Sequence, residues 1–465
     1  MKIYNSLTRK KEEFVPLEDK NVKMYACGIT VSADAHIGHA VQAIIFDIIR
    51  KYLEKRGYNV TYARNYTDVD DKIILNANKL GVDPIEFAKQ NIVKVEKLMA
   101  ELKVTPPTMN LKATENIDNI IEFISKLIEK GYAYVAPEGD VYFSVEKDKS
   151  YGKLSNRNPD DMISSVRIEN EENKRSPLDF ALWKSAKPNE IYWNSPWGKG
   201  RPGWHIECSA MNYYHLGEQI DIHGGGRDLI FPHHENEIAQ TECLTGKPFA
   251  KYWVHNGLLK LNGQKMSKSL GNVISIQELL EKYGAEVIRF GILQTNYKND
   301  INITDNLFPE AEKHMLDFYK VLAEVENLNI NSSKLNSAID EEFNQSMDDD
   351  FNTAKALANL FGYFKTMKLK LAQKDDSVVE DYNAIRKTYS LLGLFTEDTK
   401  SFIEKHSLVQ AIPAEVLELA NKRLQARKEK NFALSDVLRE QIKAFGYEIK
   451  DNKELMSQFI PMFKS

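Results

Sequence analysis

Residues 231–237 read Phe-Pro-His-His-Glu-Asn-Glu and crowd two imidazoles and two carboxylates into one short stretch. Imidazole and carboxylate that close together are the raw material of a metal site. His233 and Glu237 stand four apart and share a face if the segment is helical; His234, three from Glu237, is the rival ligand. A zinc-protease helix is excluded, because the position that would need a second histidine after His234-Glu235 is Ile238. His233 with Glu237 makes half of a site, and Cys27 and Cys208 supply two sulfurs. Such a mixed set of S, N and O donors favours zinc, a borderline-soft ion that accepts all three. The remaining cysteine, Cys243, reads as an ordinary small apolar residue.

Two further stretches bear on phosphate chemistry. His36-Ile37-Gly38-His39 sits where a strand gives way to a helix, and imidazoles at a helix N-terminus can donate to an anion that the helix dipole also favours. Residues 263–272, Gly-Gln-Lys-Met-Ser-Lys-Ser-Leu-Gly-Asn, form a polar loop with Lys265 and Lys268 three apart. A loop of that kind can fold over a triphosphate and stabilise charge on a leaving pyrophosphate.

The elements that must position these groups are legible in part. Val22–Gly28 reads as a buried strand, Val41, Ile44, Ile45, Ile48, Ile49, Tyr52 and Leu53 follow helical spacing up to Gly57, and Tyr58–Asn65 alternates as a second strand. Strand, helix, strand is the parallel crossover unit of a doubly wound sheet, which binds ligands at the carboxyl ends of its strands. The site is therefore expected in the loop from Cys27 to His39. From about 105 to 200 the chain reads as an insertion, with a helix bearing Ile117, Ile120, Ile121, Ile124, Leu127 and Ile128, ended by Gly131, then a hairpin-like pair of strands. From about 310 to 400 the pattern is nearly all helical, and a small Lys/Arg-rich unit closes the chain. The expected division is 1–104 and 201–245 for the two halves of a Rossmann-like α/β catalytic domain, 105–200 for an inserted connective domain, 246–310 for the region of the lysine loop, 311–405 for a helical domain, and 406–465 for a basic C-terminal domain.

Bulk properties set outer limits. A chain of 465 residues, 42% hydrophobic and 28% charged, is ordinary globular material of about three domains. A net charge of −5 argues against nucleic-acid binding over the whole surface and leaves room for a local basic patch. The N-terminal sequence lacks the apolar core of a signal peptide, and no apolar run approaches the roughly 20 residues that span a bilayer. Three cysteines cannot form a disulfide framework, so the expected location is the cytoplasm.

Taken together, these stretches resemble the class I aminoacyl-tRNA synthetases, and more closely the cysteinyl-tRNA synthetase family. The resemblance is carried by MYACGIT, NYTDVDDKI, PGWHIECSAM, DIHGGGRDLIFPHHENEIAQ, KMSKSLGN and MDDDFNT, together with HIGH, over about three quarters of the chain. One departure is Ser32, which stands in the loop before His36 where an aromatic residue is usual. The resemblance implies one zinc per chain, held by Cys27, Cys208, His233 and Glu237, and ATP, with Mg2+, as substrate. It places Gly226 and Asp228 at the adenylate ribose and Trp204 beside the amino-acid pocket. It assigns His36, His39, Lys265 and Lys268 to phosphate charge, and His205 and His223 to orienting ligands. Arg423, Arg427 and Lys430, at helical spacing after a helical domain, are expected to meet phosphates of the anticodon stem, making the last domain anticodon-binding.

The implied reaction joins L-cysteine to tRNA(Cys) through cysteinyl-adenylate, with attack by the 2′-hydroxyl of the terminal ribose and no protein nucleophile. A monomer without membrane association is expected. The nearest rival is a homologous ligase that joins cysteine to an amino sugar, which would share the zinc and nucleotide motifs without needing some 150 residues of helical and basic C-terminal chain. A non-catalytic tRNA-binding regulator is disfavoured by the intact motifs.

Overall fold

The computed structural model describes residues 1–158, 162, 173–188, 190–265, 273–407, 414–429, 431–445, 447–451 and 457–461. It divides into two compact units, one of residues 1–258 with 347–351 and one of 259–346 with 352–465.

The first unit opens with a hairpin of β1 (Lys2–Asn5) and β2 (Lys10–Glu13). It continues as β3 (Asn21–Thr30), α1 (Ile37–Lys55), β4 (Asn59–Thr67), α2 (Asp71–Leu80), α3 (Pro84–Glu101) and β5 (Met109–Lys112). α4 (Ile117–Glu129) leads into β6 (Ala133–Val135), β7 (Val141–Phe143), β8 (Phe180–Ser185), β9 (Trp193–Ser195) and β10 (Gly198–Pro202). α5 (Trp204–Leu216), β11 (Ile220–Gly226), α6 (Glu235–Thr245) and β12 (Ala250–Asn256) complete it. Strands β12, β11, β3, β4 and β5 form one all-parallel sheet in that order. β3, β4 and β11 carry unbroken runs of buried residues because a parallel sheet is covered on both faces. The chain leaves β3 for β4 on one side and returns to β11 on the other. That reversal opens a crevice at the carboxyl ends of β3 and β11. The strand expected to stop at Gly28 runs on to Thr30, so Cys27 belongs to the sheet and not to the loop.

The inserted segment is an antiparallel sheet in the order β6-β7-β8-β10-β9. Its core of Ile120, Phe123, Ile124, Leu127, Val141, Phe143, Leu182 and Trp183 continues into Ile206 and Ala210 of α5. Strands β8 to β10 escape the sequence reading: β8 pairs with β7, distant in the chain, β9 is three residues long, and β10 carries two glycines and a proline. Gly200 is there because a Cβ would lie 2.4 Å from the Lys184 carbonyl oxygen. The turn Met347–Phe351, from the MDDDFNT stretch, is anchored on this unit: the Tyr52 hydroxyl donates to Asp348, Lys11 to Asp349, and the Tyr4 amide to Asp350.

The second unit begins with β13 (Leu259–Leu261) and β14 (Gln264–Lys265), followed by α7 (Ile276–Leu293), β15 (Ile301–Ile303) and α8 (Leu307–Glu326). Then come α9 (Ser337–Asp348), α10 (Thr353–Gln373), α11 (Val378–Tyr389) and α12 (Thr399–Ser407). Glu286 of α7 is fully buried and accepts from the Tyr319 hydroxyl and the amides of Phe395, Thr396 and Glu397, which fastens that turn to the bundle. α13 (Ala414–Lys428), α14 (Phe432–Ala444) and the hairpin of β16 (Tyr447–Asp451) and β17 (Ser457–Pro461) follow, around a small core of Val416, Ala420, Ile442 and Ile449. Among the described residues, no helix is long and apolar enough to cross a membrane.

Candidate active site

Four donors from four elements meet at the crevice. Cys27 comes from β3, Cys208 from α5, His233 from the π-type turn Ile230–His234, and Glu237 from the first turn of α6. Each has a local reason to be there. The pairing of β3 with β4 slips between Ala26 and Ile29, and this irregularity turns Cys27 away from the ladder. The slip needs Gly28, whose Cα approaches the backbone of Asn65 so closely that any Cβ would overlap it; the Asn65 side chain accepts from the Gly28 amide at 2.8 Å. Asn65 Oδ1 also lies 3.6 Å from Cys208 Sγ.

The cluster has the dimensions of a metal site. Cys27 Sγ and Cys208 Sγ are 3.6 Å apart, Cys208 Sγ and His233 Nε2 3.6 Å, Cys27 Sγ and Glu237 Oε1 3.1 Å, and His233 Nε2 and Glu237 Oε1 2.9 Å. Tetrahedral zinc with bonds of about 2.3 Å to sulfur and about 2.0 Å to nitrogen or oxygen needs edges of about 3.8 Å (S–S), 3.6 Å (S–N) and 3.3 Å (N–O). The sulfur and nitrogen edges fit, and the two edges to Glu237 are the short ones.

Charge is distributed to match. Burial alone would raise the Glu237 carboxyl, but the His223 and His233 rings outweigh it and hold it well below the usual carboxylate range. Burial opposes a charged His233, yet Glu237 and then Cys208 push it up to about 10. Against burial, the Cys27 hydrogen bond and His233 bring Cys208 down to about 6, while burial, then Cys208 and Glu237, push Cys27 well up. A metal entering such a site must displace protons, since it binds thiolate and neutral imidazole.

The stretch 233–237 divides its labour by face. His233 Nδ1 lies 3.0 Å from His205 Nδ1, so a second imidazole orients the first from behind. His234 turns the other way, its Nδ1 2.8 Å from His255 Nε2. Glu235 reaches into the insertion and accepts from the amides of Gly152, Leu154 and Ser155. Asn236 accepts from the Tyr151 hydroxyl. His223 Nε2 stands 3.0 Å from the other oxygen of Glu237. A second possible donor set, Cys27, His223, His234 and Glu237, overlaps the first. It has one sulfur where the first has two, and His234 is already engaged with His255. Cys243 is outside both sets and packs against the core; burial pushes its thiol up to about 12.

His36 is the N-cap of α1 and forms a reciprocal box with His39: His36 Nδ1 accepts from the Gly38 amide, and His39 Nδ1 accepts from the His36 amide, each at 3.2 Å. An accepting Nδ1 carries no proton, so each neutral ring bears its hydrogen on Nε2 and is set to donate. The rings stack at 3.9 Å over the helix N-terminus. β11 ends at Gly226, where a Cβ would lie 2.5 Å from Asp228 Oδ1; the exposed Asp228 thus folds back over the strand end. Trp204, 42% exposed, stacks on the buried His233 ring at 4.1 Å and lines the approach to the cluster. Ser32 is buried, and its carbonyl accepts from Asn76.

Residues 13–313 match the catalytic domain of the class I tRNA synthetases (C), and residues 342–396 match the DALR domain. A cysteine–tRNA ligase of Thermodesulfovibrio yellowstonii is 46% identical over 478 positions, and one of Geobacter sulfurreducens 47% over 473, each covering 98% of both chains. The chain belongs to the cysteine–tRNA ligase family. Among solved structures, the Mycobacterium tuberculosis methionyl-tRNA synthetase in complex with methionyl-adenylate aligns over 86% of this chain and 94% of its own, with a TM-score of 0.57 and 14% identity, a likeness of fold alone.

For a cysteine–tRNA ligase family member, the remaining expected residues fall unevenly. Lys265 lies in β14, paired with Lys260 of β13, while Lys268 and Lys430 lie outside the described residues. Arg427 is exposed on α13. Arg423, expected to meet tRNA phosphates from the same stripe, is 4% exposed and sits in line with Val416 and Ala420, the residues that pack the small core. That expectation is corrected: the helix buries this face, and Arg423 is part of it. Sequence reasoning also passed over Asn65, Thr67 and Glu207, which are buried around the cluster. Their signal was weak but present: all three stand inside the stretches that carry the family resemblance.

Proposed function

We propose that this chain is a cysteine–tRNA ligase. It condenses L-cysteine with ATP to cysteinyl-adenylate and pyrophosphate, and the terminal ribose of tRNA(Cys) then attacks the activated carbonyl through its 2′-hydroxyl, releasing AMP. The observation that carries this reading is the convergence of Cys27, Cys208, His233 and Glu237 at the crevice of a class I sheet, with Trp204 over the approach. Zinc bound by these four side chains would supply a soft Lewis acid that holds a substrate thiol as its thiolate. Glu237, the one oxygen donor among the four and the hardest ligand beside two sulfurs, would be the one to yield a position. His36 and His39 donate through Nε2 to the phosphates of ATP at the N-terminus of α1, and Asp228 accepts from the ribose hydroxyls. Lys268, with Lys265 in support, offsets the charge that grows on the departing pyrophosphate. Positioning and charge suffice for both steps, so no side chain needs to act as nucleophile. Arg427 and Lys430 meet phosphates of the tRNA. ATP brings Mg2+, and the enzyme works in the cytoplasm.

The rival amino-sugar ligase is not favoured, because the helical unit and its DALR match have no use in that reaction. Cysteine-dependent exchange between ATP and pyrophosphate, followed by charging of tRNA(Cys), tests the proposal. Equal exchange with serine, or exchange without charging of any tRNA, would defeat it.

A further inference from the structure

The imidazoles of His36 and His39 stand at one end of α1, and the other end of that helix is held by a turn more than 290 residues away in the sequence. We propose that Tyr52 and Asp348 are positioning residues for adenylate formation, which fix α1 at its far end and through it the Nε2 donors of His36 and His39; this rests on the ligase reading above.

α1 runs unbroken for 19 residues, so Tyr52 stands about 24 Å along the axis from the His36 cap. Much of the helix is held by buried apolar side chains, whose attraction is non-directional and limits sliding or rotation less sharply than a hydrogen bond does. Midway, Asp47 and Arg50 bond to the Thr105 amide and the Pro106 carbonyl. In the last turn the buried Tyr52 hydroxyl donates to Asp348 Oδ1 at 2.7 Å, and Arg56, the C-cap, brings Nε to 3.2 Å from the same oxygen. The Tyr52 ring also meets Phe351 edge to face, with centroids 6.2 Å apart.

The turn that receives Tyr52 is itself built to stay in place. Met347–Phe351 belongs to the first unit, whereas the residues before and after it in the sequence belong to the second. The Asp350 amide donates to the Lys2 carbonyl at 2.9 Å, and the Tyr4 amide donates to Asp350 Oδ1 at 2.8 Å. Asp350 and Phe351 are consecutive non-glycine residues with φ of 66° and 51°, and both are buried. A bulky side chain enters that left-handed region only where its surroundings over-determine it, and glycine enters freely. A connection that merely turned the chain from α9 into α10 would favour glycine at these positions. This one keeps Asp350 for the Tyr4 amide and Phe351 for the Tyr52 ring. The backbone strain is thus retained together with a fixed hold on the end of α1.

The test is cysteine-dependent exchange between ATP and pyrophosphate, without tRNA, on the zinc-loaded full chain. Tyr52→Phe and Asp348→Ala should each lower kcat on the order of 10-fold, with KM for ATP and for cysteine within about twofold of wild type and zinc content unchanged. Asp348→Asn keeps an oxygen that accepts from Tyr52 and should restore most of the rate. The decisive comparison is made in a His39→Ala background, where Tyr52→Phe should cost less than about twofold further, because the two changes act on one alignment. Melting curves confirm that each variant is folded at the assay temperature, and Asp348→Ala carries the test if Tyr52→Phe is not. A full further loss in the His39→Ala background overturns the proposal. So does a rise in KM with kcat unchanged, a wild-type rate in both Tyr52→Phe and Asp348→Ala, or an Asp348→Asn enzyme as slow as Asp348→Ala. Wild-type protein without cysteine-dependent exchange overturns the ligase reading itself, and the positioning role with it.

Discussion

The donor cluster is read from residue types and the family resemblance, the basic stripe of α13 from helical spacing alone, and the folded chain treats them differently. Cys27, Cys208, His233 and Glu237 come from four elements and converge to within 4.8 Å of one another, all of them buried. Arg423 and Arg427 come from one helix and part company: one faces the core, the other solvent. The physical reason is that buried thiols, imidazole and carboxylate carry a desolvation cost that their mutual contacts or a metal must offset. Residue types that expensive at one point restrict the possible explanations. A helical charge period defines a face and leaves open which way the face turns.

The sharpest way to break the comparison is at the cysteines. Cys208→Ala should take zinc from one per chain to almost none and lower cysteine-dependent exchange on the order of 1,000-fold or more. Cys243→Ala removes a thiol of the same type from the same unit and should keep both zinc and exchange, at a stability cost of about 1 kcal/mol. Metal analysis and exchange assays on the two proteins suffice. Zinc retained by Cys208→Ala would place the metal in the overlapping set of His223 and His234.

A smaller effect is expected at Lys268, which precedes α7 in the sequence. Charge on pyrophosphate grows toward the transition state, so Lys268→Ala should slow adenylate formation by about 100-fold while ATP binding stays within about threefold. Single-turnover kinetics separates the two. A loss confined to ATP affinity would make Lys268 a ground-state binding residue.

How far the sequence could be read follows the same line. The crossover unit from Val22 to Asn65 was legible because apolar period and length agree over each element. His36 and His39 were legible as a helix start, but the reciprocal Nδ1 bonds that leave both hydrogens on Nε2 needed the backbone. The strands from 180 to 202 were not legible, since β8 pairs with a strand distant in the chain, β9 is three residues long, and Gly and Pro interrupt β10. Within residues 233–237 the helical spacing offered His233 with Glu237 and kept His234 as the rival, and the family resemblance together with the shared face favoured His233. It could not show that Glu235 clamps the insertion or that His234 turns to His255. Those partners lie some 80 residues before and 21 residues after. Arg423 is the instructive miss. Val416 and Ala420 already marked the apolar face in the sequence, and Arg423 stands two turns after Val416 on that same line.

A subtler test concerns Glu237. Four protein donors close a tetrahedral zinc site, whereas selection of a substrate by its sulfur needs an open position. Glu237, the one oxygen donor of the four, is where room is expected to be made. Zinc X-ray absorption on the loaded protein should gain one sulfur scatterer at about 2.3 Å when cysteine is added and lose or lengthen an oxygen contact. Serine at the same concentration should leave the spectrum unchanged. A zinc shell indifferent to cysteine would make the cluster structural, and it would then resemble the α13 stripe more than it differs from it.

The smallest expected effect returns to that stripe. If Arg427 meets a phosphate, Arg427→Ala should weaken tRNA binding a few-fold and flatten the slope of log affinity against log salt by about 0.7–0.9, one counterion's worth. Arg423→Ala should behave differently on every axis. A guanidinium buried in line with Val416 and Ala420 contributes packing, so its loss should destabilise the α13–α14 pair by about 1–3 kcal/mol and leave the salt slope intact. Thermal melts and tRNA titrations at several salt concentrations distinguish the two. Equal changes of slope for both variants would mean that α13 turns its Val416 line outward when tRNA binds, and a fixed burial pattern would no longer separate the stripe from the cluster.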